Sequence, residues 1–521
     1  ATSAAHLYGR PVVSAETWTW LHSPAFAATP LDMKAEADRM LLQGVNQFVG
    51  HGWPYTPPGT PEPGYSFYAA AVFNDHQPWW SVMPEVNSYL QRMSYLMRQG
   101  TPANDVALFL PNDDVYAAFE PGKASLSAAM ARHITPELTT GILDAGHNLD
   151  YVDAESIMTV GLTHPVLVMP RVQRLAPEVV AKIAAWVKAG GKLILIGGAP
   201  SLAPGFADAA RITREVVAAA QSLSGPNVQR IADDSAVGAA LQKAIAPDLQ
   251  LSAGQADVGF VHRKLADADL YFIANTSNHD VSATARVRSP RRYAAWWNPD
   301  TGAVTAAPVA PSMTLAPYES RVLVLSDTPQ GAPAGAFAPA SVLLDMSRDW
   351  MVTMPASTPM PMSTLRSWTD NPSQRFLSGI AKYTKELTLD AAQLGGGRIS
   401  LDFGTGTALS TTSKVPAGMR AMFESPLREA AQVFVNGKRA GALWHPPYRL
   451  DVTQLLRPGK NEIDVRVANT ALNELAGRTL PDHRLLSARY GQRFIPQDTE
   501  LIQPQPSGML GPVRLMKEAN Q

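Results

Sequence analysis

Three short runs in the first half of the chain, Asp105–Leu110 (DVALFL), Pro165–Met169 (PVLVM) and Lys192–Ile196 (KLILI), are apolar without alternation. A strand with one wet face alternates polar and apolar residues. An unbroken apolar strand is covered on both faces, which is the condition of a parallel sheet flanked by helices. Between the last two runs lies a helix signal, roughly Pro177 to Ala189, closed by Gly190-Gly191. Residues 101–255 are therefore expected to form a flavodoxin-like α/β domain. The stretch carries no GxGxxG and no P-loop, so a nucleotide role is not expected.

A length of 521 residues exceeds one core, and three or four domains are the starting expectation. Residues 1–100 read strand, loop, helix, strand, loop, helix. The short run Arg10 to Ala15 ends in Glu16, and Thr29-Pro30 then opens a helix from about Leu31 to Gln43, stopped by Gly44. Val45 to Gly50 is the next strand, and a helix from about Ser81 to Gln99 follows a long Pro/Gly loop. This is the logic of a (β/α)8 barrel, of which only two or three units are present. Residues 256–327 shift to a period of two, as expected of a small antiparallel β domain with strands at Asp269 to Ala274, Val281 to Val287 and Ser320 to Leu325. A Pro/Ala/Gly-rich linker occupies 328–341. Residues 342–521 are again all β, with Asn436-Gly437 marking a hairpin. The fold class is thus multidomain α/β plus all-β.

The charge balance narrows the function. Net charge is -1 and the Lys and Arg residues are scattered, so no nucleic-acid partner is expected. No run approaches the ~18 apolar residues of a bilayer span, and no membrane partner is expected. The absence of cysteine excludes thiol nucleophiles, disulfides and Cys-based zinc sites. No signal peptide is visible, yet the abrupt start Ala1-Thr2-Ser3 suits a processed chain, and a periplasmic or secreted location is expected.

Two resemblances follow from motifs. Gly379 to Thr388 (GIAKYTKELT), Val433 to Leu443 (VFVNGKRAGAL), Pro447 to Thr453 (PYRLDVT), Leu455 to Val467 (LLRPGKNEIDVRV) and Ser507 to Val513 (SGMLGPV) resemble the sugar-binding jelly roll, galactose-binding-like, of the family 2 glycoside hydrolases. Such a domain either binds sugar or buttresses a barrel, with buttressing preferred. Ala4 to Thr17 (AAHLYGRPVVSAET), Gly44 to His51 (GVNQFVGH) and Asn74 to Trp80 (NDHQPWW) resemble the later barrel strands of the family 106 glycoside hydrolases, the α-L-rhamnosidases. The domain order agrees along the whole chain. The resemblance implies an exo-acting glycosidase that releases terminal rhamnose from plant glycans by inversion. It also implies several barrel strands, and a partner glutamate, upstream of residue 1, from an N-terminal fragment that completes the barrel.

Glycoside hydrolysis needs two carboxyl groups flanking the scissile bond. Glu16, at a barrel strand end, is the catalytic candidate, with acid and base roles both open. Asp32, Glu36 and Asp38 lie on the following helix, the last two in solvated-face roles, while Glu62 and Asp75 sit in long loops. His51, Trp53 and Tyr55 follow the next strand on the face of Glu16 and are expected to form a sugar subsite, with Trp18 added to the substrate-binding set. One of Trp79 and Trp80 is expected to be packed, and Asn46 or Gln47 to orient Glu16. The family resemblance implies calcium, for which Glu16 is the single strand-end carboxylate on offer. His262-Arg263, read as preceding the strand from Ala268, suit a turn-stabilising pair better than a reach to the barrel mouth. Two other readings stay open: a non-catalytic carbohydrate-binding half, and another barrel glycosidase such as a galactosidase.

Overall fold

A computed structural model of the chain describes every residue except 21–23, 67–68, 123–124, 334, 336, 411–419, 480–481, 492–498 and 521. Near the N-terminus, Ser14–Thr17 pairs in parallel with Gln47–Gly50, placing Glu16 opposite Val49. The first strand starts later than the apolar run suggests. Pro11 has no N–H to give, and the Val13 N–H is taken by the Asn46 side chain at 2.9 Å. Asn46 also donates to the Pro11 carbonyl at 3.0 Å. Its amide therefore sets where the strand begins and does not reach Glu16, contrary to the role expected of it. Gln47 is exposed on its strand.

The helix Pro30–Leu42 starts as read. Thr29 accepts from the Asp32 N–H at 3.1 Å while the Asp32 carboxylate accepts from the Thr29 N–H at 3.0 Å, a reciprocal cap. The second helix, Met83–Leu96, follows a single 3-10 turn at Pro78–Val82. Among the described residues these two strands form a two-stranded sheet and no closed barrel.

The three apolar runs become the strands Val106–Phe109, Val166–Pro170 and Lys192–Ile196, joined by Leu149–Val152 and Val228–Ile231 in one five-stranded sheet. All neighbours are parallel, in the order second, first, third, fourth, fifth. Both faces are covered. Ala107, Phe109, Leu167 and Leu193 pack with Val180 and Ile183 of the helix Pro177–Lys188. Val106, Leu108, Val168 and Ile194 pack with Leu138, Ile142 and Leu241 on the other side.

The next unit is an antiparallel pair of sheets around Leu249, Phe260, Tyr271 and Leu323. Its six-stranded sheet recruits Thr101–Pro102, and its three-stranded sheet recruits Leu249–Leu251, from the stretch assigned to the preceding domain. His262 and Arg263 lie inside the strand Val258–Lys264, not before a strand. The C-terminal section stacks a four-stranded on a six-stranded sheet over a core that includes Trp350, Tyr383, Leu401, Val433 and Val465. Asn436 (φ 52°) and Gly437 (φ 76°) make the expected hairpin between Ala430–Val435 and Lys438–Leu443, since such a turn needs positive φ at both central residues.

The units are tied together around the helix Pro30–Leu42. The buried Lys34 ammonium donates to Asp38 (2.7 Å), the Tyr318 carbonyl (2.8 Å) and Ser320 (3.0 Å), and lies 4.9 Å from the Tyr89 ring centroid. Tyr89 also donates to Asp38. Asp38 is thus a buried ion-pair partner and not a solvated-face residue. The sandwich adds its own contacts: Ala421 N–H to Asp32 (2.8 Å), Gln432 to the Ser81 carbonyl (2.8 Å), and Ala471 N–H to Gln77 (2.9 Å).

Two outcomes follow. Lys34→Met leaves Asp38 buried without its cation, and thermal or denaturant unfolding should show a loss of about 3–5 kcal/mol. An unchanged midpoint would contradict the role given to Lys34. Burial pushes the Glu429 carboxyl up to about 7, with Arg428 offsetting part of the effect and Asp32 and Glu424 adding to it. A carboxyl raised in the folded state binds its proton more tightly there than in the unfolded chain. Stability is therefore complete below the unfolded value near 4.5, falls as pH rises toward 7, and levels off above it. Glu429→Gln should raise the unfolding free energy at pH 8 by roughly 3 kcal/mol, and leave it nearly unmoved at pH 4.5. Equal shifts at both pH values would refute this.

Candidate active site

In a βα unit the loop after each strand, and the N-terminus of the next helix, lie on one face. Glu16 stands one residue before the end of Ser14–Thr17 and is exposed. Its carboxylate accepts from the Thr19 hydroxyl at 2.5 Å, a three-residue reach around the strand end. The adjacent strand delivers His51 to the same face by its parallel pairing with the first. His51 Nδ1–H donates to the Ala69 carbonyl at 2.8 Å, which holds the imidazole in one orientation.

The aromatic residues divide. Trp53 is 54% exposed and Tyr55 74% exposed. Trp80 meets Trp53 edge to face, with centroids 4.8 Å apart, and so fixes the Trp53 plane while a ring face stays open to solvent. Trp79 is fully buried, its indole N–H donating to the Ala28 carbonyl at 2.9 Å. Trp18 is packed as well, contrary to its place in the substrate-binding set. It is 4% exposed, lies between Phe48 (6.4 Å) and Phe73 (5.2 Å), and donates to the Met33 carbonyl at 3.1 Å. With both neighbours against it, the ring has no face left for a sugar.

Glu36 is the residue that reading by helix periodicity missed. Its carboxylate is half-buried under the turn after Glu16, accepting from the Trp18 N–H (3.4 Å) and from the Trp20 indole. Burial pushes it above the ordinary glutamate value, and the two tryptophan donors offset only part of that. The available signal was spacing: Glu36 lies four residues after the capping Asp32, hence on the same helix face. Asp32 is also raised by burial, against Arg420 and its hydrogen bonds. Glu62 is exposed and pairs with His76 Nδ1 at 2.8 Å, and Asp75 is exposed. His262 and Arg263 are buried elsewhere, His262 between Asp248 (2.8 Å) and Asp269 (3.2 Å).

Calcium takes six to eight oxygen ligands. Among the described residues no group of three or more His, Asp or Glu side chains converges to hold a metal ion. The residues present around Glu16 therefore do not fit a calcium site by themselves.

Comparisons with known proteins bear on the fold and the family. The solved rhamnosidase from Novosphingobium sp. PP1Y superposes on 99% of this chain and 48% of its own, with a TM-score of 0.71 and 22% identity. That likeness supports the mixed α/β and β-rich multidomain fold. A curated protein of Formosa agariphila, provisionally named a beta-glucuronidase, is 25% identical over 316 residues, covering 58% of this chain and 25% of that protein. The chain thus spans about half the length of the one and a quarter of the other. The sequence model of glycoside hydrolase family 106, described as alpha-L-rhamnosidase, matches residues 1–309. With more than half of its length matched, the chain belongs to glycoside hydrolase family 106.

Proposed function

We propose that this chain is the C-terminal part of an exo-acting α-L-rhamnosidase that releases terminal rhamnose from glycosides or polysaccharides by inverting hydrolysis. The observation that carries the reading is Glu16: an exposed carboxylate at the end of a parallel strand, with an exposed Trp53 in the loop after the neighbouring strand, in a chain of the rhamnosidase family. On this reading the two parallel strands are later strands of a (β/α)8 barrel. The five-stranded sheet is a flavodoxin-like unit, and the C-terminal sandwich a jelly roll. The sandwich acts as a buttress: among the described residues its recorded bonds to the N-terminal unit go to Asp32, Gln77, Ser81, Glu85 and the Pro61 carbonyl, and none goes to Glu16.

Inversion needs one carboxyl to protonate the leaving oxygen and one carboxylate to activate water from the opposite side, at roughly 6.5–9.5 Å. Glu16 supplies one of the two. Thr19 donates to one of its oxygens, and among the described residues no side chain is recorded on the second. Trp53 offers a sugar-stacking face, and His51 is held so that its ring orients toward the same loop. Asp32 and Asp38 are committed to packing contacts, and Glu36 supports the Trp18–Trp20 turn. The family resemblance, and not these contacts, implies that the second carboxylate comes from further barrel strands in an N-terminal fragment that completes the barrel. No step is routed through calcium. The reading carries a periplasmic or secreted location with it. No described helix is long and apolar enough to cross a membrane.

Glu16→Gln keeps the shape and removes the ionisable group, so in protein whose barrel is completed by the N-terminal fragment kcat on an aryl α-L-rhamnoside should fall by about 10²-fold or more. Activity within a few-fold of the unmodified protein would remove Glu16 from the mechanism. Trp53→Ala should raise KM for the same substrate about tenfold, with a smaller effect on kcat, as a lost stacking face predicts. A fall in kcat at constant KM would place Trp53 elsewhere. Aryl galactosides and glucuronides, assayed in parallel, should turn over far more slowly; the reverse order would favour a different glycosidase.

A further inference from the structure

A cleft of about 920 Å³ opens where the N-terminal segment, the parallel sheet and the antiparallel unit meet. It is lined by residues preceding the strands Ser14–Thr17, Val106–Phe109 and Val166–Pro170. That is the end of the strands opposite to Glu16, so this cleft is separate from the candidate active site.

The charges that line it do not balance. Its three carboxylates are each spent on a neighbour. Asp105 is paired with His147 (2.9 Å) and with Arg288 (2.5 Å). Asp150 lies between His6 (2.8 Å) and His164 (3.2 Å), and although burial opposes it, these two hold its carboxyl down at about 2. Asp269 accepts from His262 (3.2 Å) and Ser289 (2.5 Å). Three cations in the same lining have no carboxylate among the described residues. Arg10 and Lys264 are exposed to the cleft and make no recorded ion pair. Arg263 is 6% exposed, and its guanidinium reaches only the carbonyls of Gln99 (2.8 Å) and Gly100 (2.9 Å). Burial alone pulls Arg263 below the ordinary arginine value, with no carboxylate to oppose it. A buried cation normally has its counter-charge close by, because leaving the charge uncompensated is costly.

We propose that this cleft binds an acidic saccharide, whose carboxylate or sulfate group is the counter-ion for Arg263, Arg10 and Lys264. The choice of a saccharide rests on the glycosidase reading and on size, since the cleft lies in the range of sites that enclose whole small ligands and a bare oxyanion would fill a small part of it. Planar guanidinium groups and a mobile ammonium suit an oxyanion.

Isothermal titration of the purified protein with digalacturonate, with the neutral digalactose, and with inorganic sulfate tests this. Saturable binding of digalacturonate is expected, with much weaker binding of the other two. The double variant Arg10→Ala/Lys264→Ala changes only exposed side chains, and should weaken digalacturonate about tenfold or more. No saturable binding, equal affinity in the variant, or equal affinity for the neutral sugar would overturn the proposal. Sulfate binding as tightly as digalacturonate would overturn its saccharide part. Hydrolysis of an aryl rhamnoside by the unmodified protein is measured alongside. Its absence in protein whose barrel is completed by the N-terminal fragment, with digalacturonate binding intact, would sink the rhamnosidase reading and leave the anion site standing.

Discussion

One buried ammonium organises much of this structure. Lys34 is on the helix Pro30–Leu42, yet its hydrogen bonds go to Asp38 on that helix and to Tyr318 and Ser320 of the antiparallel unit, while its cation faces the Tyr89 ring of the helix Met83–Leu96. Burying a charge is unfavourable unless it is paired and its donors are satisfied, and all three recorded bonds are short here. The result is directional: the two helices and the strand Ser320–Ser326 sit together in one arrangement because few others satisfy the ammonium. Apolar packing of Met33, Leu41, Val86, Tyr89 and Val322 in the same cluster supplies the bulk of the burial, and the ion pair supplies the register.

That arrangement places the candidate site. The first helix follows the strand that carries Glu16, and its Glu36 holds the turn of Trp18 to Trp20 from beneath. The sandwich then caps the start of the same helix through the Ala421 N–H on Asp32. Glu16 is left exposed, as a group that meets substrate needs to be, while Asp32 and Asp38 of the following helix are buried and held.

The parts of the fold that depend on local chemistry were legible in the sequence. The Thr29-Pro30 start, the Asn436-Gly437 hairpin and the three apolar runs all appear within a few residues of their expected places. What escaped was set by layers that come from far along the chain. Asp38 reads as a solvated face because helix periodicity knows nothing of Ser320, some 280 residues on, and Glu36 likewise because Trp20 folds over it. Trp18 reads as a sugar platform because its position is right, but Phe48 and Phe73 close on it. His262-Arg263 reads as a turn pair because a strand that carries buried charge lacks the usual alternation. Of the expected site residues, Glu16, Trp53 and Tyr55 are exposed and His51 is half-buried, and Trp80 packs edge to face on Trp53.

The place where rhamnose sits decides the role of Glu16. A crystal structure of the protein with L-rhamnose bound tests it most directly. The account predicts a sugar at the loop ends of the two parallel strands, with Glu16 within hydrogen-bond distance of a ring substituent and the Trp53 face against the ring. Rhamnose bound elsewhere, with Glu16 still engaged only by Thr19, would contradict it.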